Sequence, residues 1–165
     1  MRAVIMGVAG SGKSSVGASV AKRLGTIYLD GDDLHPPANI AKMSGGIPLT
    51  DEDRAPWLDQ VGATLAQQSD GGLIGCSALR RAYRDRIRAA SEGPVAFLHL
   101  AGSRNVIEGR MSAREGHFMP VALLNSQFAT LEALEADEAG CVIDIDQPFA
   151  SVVGAAVTYL QQSDF

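Results

Sequence analysis

Apolar runs and amphipathic stretches alternate along the whole chain of 165 residues. The apolar runs are short, as in buried strands, and the stretches between them carry apolar residues at helical spacing. In one such stretch, 13–25, Val16, Val20 and Leu24 share a face and Gly25 ends the pattern. Strands are predicted at 2–7, 26–30, 72–77, 95–102 and 141–146. Helices are predicted at 13–25, 39–46, 51–68, 79–91, 103–114, 121–134 and 148–162.

This alternation predicts an α/β fold, a three-layer α/β/α sandwich around a five-stranded parallel sheet. The chain has neither a repeat nor a linker, so we expect a single domain over 1–165. The most irregular segments, 31–50 and 112–120, are polar and contain Gly and Pro. They are the segments that we most expect to move.

Composition and charge narrow the class of function. The net charge is −5, and the basic residues gather locally at 78–88 and 104–114, which favours small anionic ligands over nucleic acid. No apolar run approaches the roughly 20 residues of a membrane span. The first residues lack the pattern of a signal peptide, so we expect a cytoplasmic protein. Cys76 and Cys141 lie in apolar runs and are interpreted as buried strand residues.

The sequence GVAGSGKS at 7–14 matches G-x-x-x-x-G-K-[ST], the pattern of a nucleotide phosphate loop. It follows a strand and opens a helix, where backbone N–H groups can surround a phosphate. We expect Lys13 to reach the β- and γ-phosphates of ATP and Ser14 to hold Mg²⁺. The alternative is a glycine-rich turn that binds nothing. The residues assigned to the nucleotide here are Gly7, Val8, Ala9, Gly10, Ser11, Gly12, Lys13, Ser14 and Ser15.

The phosphate loop alone does not separate a switch, a motor and a small-molecule kinase. The chain has no N-K-x-D guanine motif, and its third strand runs into LIGCSALR rather than into an acid. The short chain and the basic helix therefore favour a compact phosphoryl transferase.

Three acids follow the second strand in YLDGDDLHPP at 28–37. Ligands of open α/β sheets bind beyond the carboxyl ends of the strands, so these acids are expected beside the phosphate loop. We interpret Asp30 as a ligand of Mg²⁺ through water and Asp32 as the acceptor of the substrate hydroxyl proton. The alternative is an Asp-Gly turn with solvated acids. Asp33 has no assigned chemistry.

Four blocks of the sequence resemble the gluconate kinase family: LDGDDLHPPANIAKMSGGIPLTDEDRAPWL at 29–58, CSALRRAYRDRIR at 76–88, GHFMPVALLNSQFATLE at 116–132 and DIDQP at 144–148. With the phosphate loop, they cover nearly the whole chain in the family's order. The resemblance implies phosphorylation of D-gluconate at its 6-hydroxyl by ATP, as part of carbohydrate metabolism. It also implies an adenylate-kinase-like P-loop NTPase fold with a mobile lid, dependence on Mg²⁺, and a homodimer.

Gluconate is a linear polyol with a carboxylate, so its site needs cationic donors and mixed polar groups. We expect these in a substrate-binding segment at about 31–58 and on the basic helix. Arg54 stands in a first helical turn, where a cation is disfavoured; it either binds the substrate carboxylate or pairs with Asp51 or Glu52. Tyr83 either contacts a hydroxyl or packs. The substrate contacts assigned are Asp32, His35, Arg54, Arg81, Tyr83, Arg84 and His117.

Arg110 and Arg114 are four residues apart on one predicted helix face. They resemble arginines of a lid, here at about 104–120, that close over the phosphates. We expect both to be catalytic, together with Lys13 and Asp32, and Arg110 also to contact the nucleotide. Gln147 and Pro148 are assigned to the adenine side, with a simple helix start as the alternative. Two rival functions remain: a kinase of another small molecule, such as shikimate or a nucleoside monophosphate, and a non-enzymatic ATP sensor.

Overall fold

The computed structural model describes residues 1–113 and 121–164. Five strands form one parallel sheet in the order β2-β3-β1-β4-β5, which confirms the predicted fold class. The strands are β1 (Arg2–Met6), β2 (Tyr28–Asp30), β3 (Gly72–Gly75), β4 (Ala96–Ala101) and β5 (Gly140–Asp144). The helices are α1 (Lys13–Leu24), α2 (Pro37–Ser44), α3 (Asp51–Ala66), α4 (Arg81–Ala90), α5 (Arg104–Ser112), α6 (Val121–Thr130) and α7 (Phe149–Gln162).

Side chains of the central strand β1 alternate between two cores. Ala3 and Ile5 pack on the face that α1 and α7 cover, and Val4 and Met6 pack on the face that α3 and α4 cover. All four residues are fully buried. The helices therefore cover both faces of the sheet, and the loops at the carboxyl ends of the strands are left to carry a site.

Several predicted helix boundaries are wrong by two residues or more, and two of these errors meet at the start of α4. Arg80 is extended, with φ −103° and ψ 148°, so α4 begins at Arg81 rather than at 79. Helix α6 ends at Thr130 rather than at 134, because the following segment runs past α4 instead: the N–H of Glu132 donates to Leu79 O at 2.7 Å.

Neither cysteine forms a disulfide. Cys76 is buried directly after β3, whereas Cys141, in β5, is only half-buried. Among the helices of residues 1–113 and 121–164, none has the length and apolarity to cross a membrane.

Candidate active site

The phosphate loop leads from β1 into α1. Gly10 and Gly12 have φ of 79° and 93°, in the left-handed region that glycine adopts readily, and so turn the chain tightly into the helix. Lys13 Nζ donates to the carbonyls of Gly7 at 2.9 Å and Val8 at 3.1 Å. Burial lowers the pKa of Lys13, although nearby carboxylates oppose this shift. A helix N-terminus and a cation are thus held together, as phosphate binding requires.

Asp32 is presented by a short 3-10 turn, Gly31–Leu34, that begins where β2 ends. The Asp30 carboxylate accepts the N–H of Asp32 at 2.9 Å, so Asp30 shapes the turn. Loss of hydration raises the pKa of Asp32, and the charge of Asp30 raises it further, while Lys13 and His35 oppose the shift. The higher pKa makes Asp32 a better proton acceptor near neutral pH than an ordinary aspartate.

His35 is buried and stacks on Trp57, with ring centres 4.1 Å apart and planes inclined by 17°. Asn39 Nδ2 lies 3.2 Å from His35 Nδ1 and also donates to Asp53 O at 2.9 Å. The Asp53 carbonyl fixes which amide atom is nitrogen, so His35 Nδ1 accepts and the neutral ring carries its proton on Nε2. Burial lowers the pKa of His35, which favours this neutral form.

The turn, α2 and α3 are tied together by polar contacts. Lys42 Nζ lies 2.6 Å from Asp53 Oδ2, and Asp53 and Thr50 cap α3 reciprocally. The hydrogen bond from Lys42, with those from Thr50, lowers the pKa of Asp53 to about 2. Trp57 Nε1 donates to Gly31 O at 2.7 Å. These contacts hold the turn against the start of α3.

A cluster of two arginines, a tyrosine and one aspartate joins α3 to the start of α4. The Tyr83 hydroxyl donates to Asp51 Oδ1 at 2.6 Å, and Arg54 Nη1 lies 3.6 Å from the same oxygen. Arg80 Nη1 lies 4.0 Å from Asp51 Oδ2, and both guanidinium groups lie over the Tyr83 ring. The Arg54–Asp51 pair left open by the sequence is thus present, but two cations share one carboxylate. The substrate contact predicted from the sequence is Arg81, whereas its neighbour Arg80 is the residue that lies in this cluster.

The structure does not bring Arg84 or Arg81 to this cluster, which corrects their assignment as substrate contacts. Arg84 is fully buried and bonded to both carboxylate oxygens of Glu138, at 2.7 and 3.0 Å, and to four backbone carbonyls. Arg81 pairs with Glu135 at 2.5 Å and Asp137 at 2.7 Å, besides Asp85 on its own helix. Their donors are already used within the fold.

Arg110 and Phe149 line a cleft of about 220 Å³ beside the phosphate loop. Arg110 Nη2 donates to Ile145 O, and Phe149 is 49% exposed. Such a ring can stack on a base, although in the sequence the residues after β5 indicate only a helix start. Pro148 is indeed the N-cap of α7, and Gln147 donates to Asp144 O at 2.7 Å. The cleft is also lined by Gly10, Gly12, Ser15 and Val16.

Two of the assigned residues, Arg114 and His117, lie outside the described residues. Helix α5, which carries Arg110, is described to Ser112. Within the described ranges, no three or more His, Cys, Asp or Glu side chains group as they would around a metal ion held by protein alone.

Comparisons with known proteins place these features in a family, although no family model matches the chain. The chain is 50% identical over 153 residues to the thermosensitive gluconokinase of Escherichia coli, spanning 90% of this chain and 81% of that one. It is 45% identical to the thermoresistant gluconokinase of the same bacterium, over 96% and 93% of the two chains.

Solved structures give the same grouping. A gluconokinase from Sinorhizobium meliloti superposes with a TM-score of 0.90 at 47% identity, covering 98% of this chain and 91% of that chain. An APS kinase from Mycobacterium tuberculosis, 17% identical over 98% of this chain and 97% of its own, has a TM-score of 0.68 and shares the fold. With such identity over nearly the full length of its relatives, the chain belongs to the gluconokinase family, on the P-loop kinase fold.

Proposed function

We propose that this protein transfers the γ-phosphoryl group of ATP to the 6-hydroxyl of D-gluconate, giving 6-phospho-D-gluconate. One observation carries the proposal beyond family membership: Asp32 and Lys13 lie close enough for each to shift the pKa of the other. A proton acceptor for a hydroxyl is thereby placed beside the cation that reaches the transferable phosphoryl group.

The acceptor end of the site would work through Asp32 and His35. Asp32 takes the proton of the 6-hydroxyl as the phosphoryl group moves, and its raised pKa suits that transfer. Neutral His35 accepts from Asn39 at Nδ1 and keeps an N–H at Nε2 with which to orient a hydroxyl or Asp32. Stacking on Trp57 holds the ring in place.

The carboxylate of gluconate lies at the opposite end of a linear chain from its 6-hydroxyl. The cluster of Arg54, Arg80, Tyr83 and Asp51 lies on the same substrate-binding segment and the adjoining start of α4. Because it contains two cations and one carboxylate, a bound carboxylate would balance its charge. We therefore place Arg54 and Arg80 at the carboxylate end, and leave out Arg81 and Arg84.

The residues present also fit Mg²⁺ and ATP. Magnesium in kinases is held by one or two protein oxygens together with phosphates, and Ser14 and Asp30 would supply those oxygens. The ion would neutralise phosphate charge. Arg110 and Phe149 would contact the adenine or the phosphates across the cleft beside the loop. The homodimer, the cytoplasmic location and the lid at about 104–120, including Arg114 and His117, are proposed on the family resemblance.

An acceptor screen tests the proposal. Purified protein with Mg²⁺ and ATP is offered gluconate, other aldonates, shikimate and nucleoside monophosphates, and ADP release is followed with ³¹P NMR of the product. We expect turnover with gluconate and a new phosphomonoester on carbon 6, and no turnover by a Lys13→Ala control. Failure with gluconate while another acceptor turns over would overturn the substrate, and transfer to no acceptor would favour the ATP sensor.

A further inference from the structure

Gln127, on helix α6, reaches across the molecule to the phosphate loop. Its Oε1 accepts the backbone N–H of Ala9 at 2.6 Å, although the two residues are 118 positions apart in the chain. Ala9 N–H belongs to the row of donors by which such a loop surrounds phosphate. A neutral amide side chain is therefore held at the phosphate site, and none of the roles described above uses it.

Gln127 contacts the loop at one peptide group, the one that joins Val8 to Ala9. The peptide group between Val8 and Ala9 is bonded at both ends: its oxygen accepts from Lys13 Nζ at 3.1 Å, and its N–H donates to Gln127. The lysine of this motif reaches the β- and γ-phosphates. The peptide, and Gln127 with it, is thereby placed near the β- and γ-phosphates.

The Gln127 amide also offers hydrogen-bond donors on its nitrogen. Oε1 is anchored by Ala9, while Nε2 carries two hydrogens and has no acceptor among residues 1–113 and 121–164. Both atoms are bonded to the same carbon, so this donor is fixed beside the same peptide as Lys13 Nζ. In phosphoryl transfer, negative charge spreads over the equatorial oxygens of the moving group, and such fixed donors stabilise it.

We propose that Gln127 is a contact residue for the γ-phosphoryl group of ATP, donating from Nε2 to a γ-oxygen while Oε1 keeps Ala9 in place. The inference rests on the proposed function in taking ATP as the phosphoryl donor. It adds a neutral side chain of helix α6 to a phosphate site proposed to consist of the loop, α1 and Arg110 of α5. The chain then distinguishes ATP from ADP through a side chain outside the phosphate motif.

Nucleotide binding without an acceptor tests this role. Gln127→Glu keeps the side-chain shape and an oxygen for Ala9, but it loses both donors and adds a negative charge. We expect this variant to bind the β,γ-imido analogue of ATP with Mg²⁺ at least ~10-fold more weakly, as a lost charge-assisted hydrogen bond implies, and ADP within about twofold of the unmodified protein. Gln127→Ala should lose less on the analogue. Gln161→Glu, the same change at an exposed position of α7, is the matched control and should change neither affinity.

Isothermal titration gives both affinities, and thermal unfolding confirms that each variant is folded. Equal losses for ADP and the analogue would show that Gln127 only supports the loop, and would overturn the proposal. Unchanged affinity for the analogue in both variants would overturn it as well. These measurements contain no gluconate, so a failure here is distinct from failure of the acceptor screen with the unmodified protein.

Discussion

Two groups of arginines meet at α4, and the structure gives them different surroundings. On one side Arg84, with no exposed side-chain surface, is enclosed by Glu138 and backbone carbonyls. On the other, Arg54 and Arg80 share one carboxylate and keep 30% and 46% of their side chains exposed. Since all three residues are arginines, the difference lies in the number of acceptors around each guanidinium group.

A buried charge is tolerated only when its partners replace the water that it loses. Arg84 meets this condition with Glu138, 54 residues away in the sequence, and so joins α4 to the segment before β5. A cation that shares one carboxylate keeps capacity for an external anion. The number of acceptors around each guanidinium group, carbonyls included, therefore separates Arg84 from the two arginines proposed for substrate binding.

The largest expected effect concerns Lys13, a cation of the site with no carboxylate bonded to it among the described residues. Lys13→Ala should lower kcat with gluconate by at least ~100-fold, the scale of a lost transition-state contact. The melting temperature should change little. Initial rates and thermal unfolding measure the two effects, and a rate within tenfold of normal would remove Lys13 from the chemistry.

Glu138→Gln should lower stability and leave substrate binding unchanged, whereas Lys13→Ala should lower kcat and change stability little. Leaving Arg84 buried without its counter-ion should cost about 3 kcal/mol of unfolding free energy, measured by urea denaturation. The matched control is Glu135→Gln, which alters an exposed partner of Arg81 and should cost less than about 1 kcal/mol. The KM for gluconate should stay normal in both. Equal losses of stability in the two variants would contradict a larger contribution from the buried Arg84–Glu138 pair.

The same carboxylate should govern part of the acid stability. Burial alone would raise the pKa of Glu138, but hydrogen bonds from Arg84, the Glu135 N–H and Arg88 lower it to about 2, from an ordinary value of 4.5. Its stabilisation is present above pH 4.5 and is lost as the pH falls toward 2. As the pH is lowered across that range, the urea midpoint should fall less steeply for Glu138→Gln than for the unmodified protein. Equal slopes for the two proteins would contradict this link between the Glu138 pKa and stability.

Arg54 and Arg81 provide a direct contrast in substrate binding. Arg54→Met removes a charge beside the proposed carboxylate position and should raise the KM for gluconate by about 10-fold or more. Arg81→Met removes a charge that acidic residues already enclose, and its KM should stay within about threefold. Both KM values are measured by steady-state kinetics at saturating ATP. A larger effect of Arg81→Met than of Arg54→Met would reverse the two assignments.

The smallest effect concerns which ring nitrogen of His35 carries the proton. We expect ¹⁵N NMR at neutral pH to show His35 with its proton on Nε2, as the contact from Asn39 requires. The chain has three histidines, so His99→Gln and His117→Gln variants would assign the signals. Asn39→Ser should let the other tautomer appear with only a few-fold loss of kcat. A proton on Nδ1 in the unmodified protein would contradict the described network.

The sequence predicted those features that local patterns determine. The strands, the phosphate loop and the turn carrying Asp32 follow from apolar periodicity, glycine placement and chain order. Arg84 was misassigned because its partner, Glu138, lies on a distant segment. The acidic run EALEADE at 132–138 was the available signal, since it offers carboxylates to match the basic helix.

Other features depend on tertiary contacts that no short pattern records. Phe149 reads as an apolar helix residue until α7 places it beside the phosphate loop. Gln127 reads as a polar position of an amphipathic helix until its amide meets Ala9. Arg80 and Arg81 are neighbours with equal charge, and only the start of α4 between them directs one toward Asp51 and the other toward Asp137.

The chemistry itself is tested most directly by two neighbouring acids. Asp32→Asn and Asp33→Asn make the same change of charge in the same turn, but only Asp32 is assigned to the acceptor hydroxyl. With saturating Mg²⁺, ATP and gluconate, we expect kcat to fall at least ~100-fold for Asp32→Asn and to stay within about threefold for Asp33→Asn. A near-normal kcat in Asp32→Asn would contradict its role as the proton acceptor.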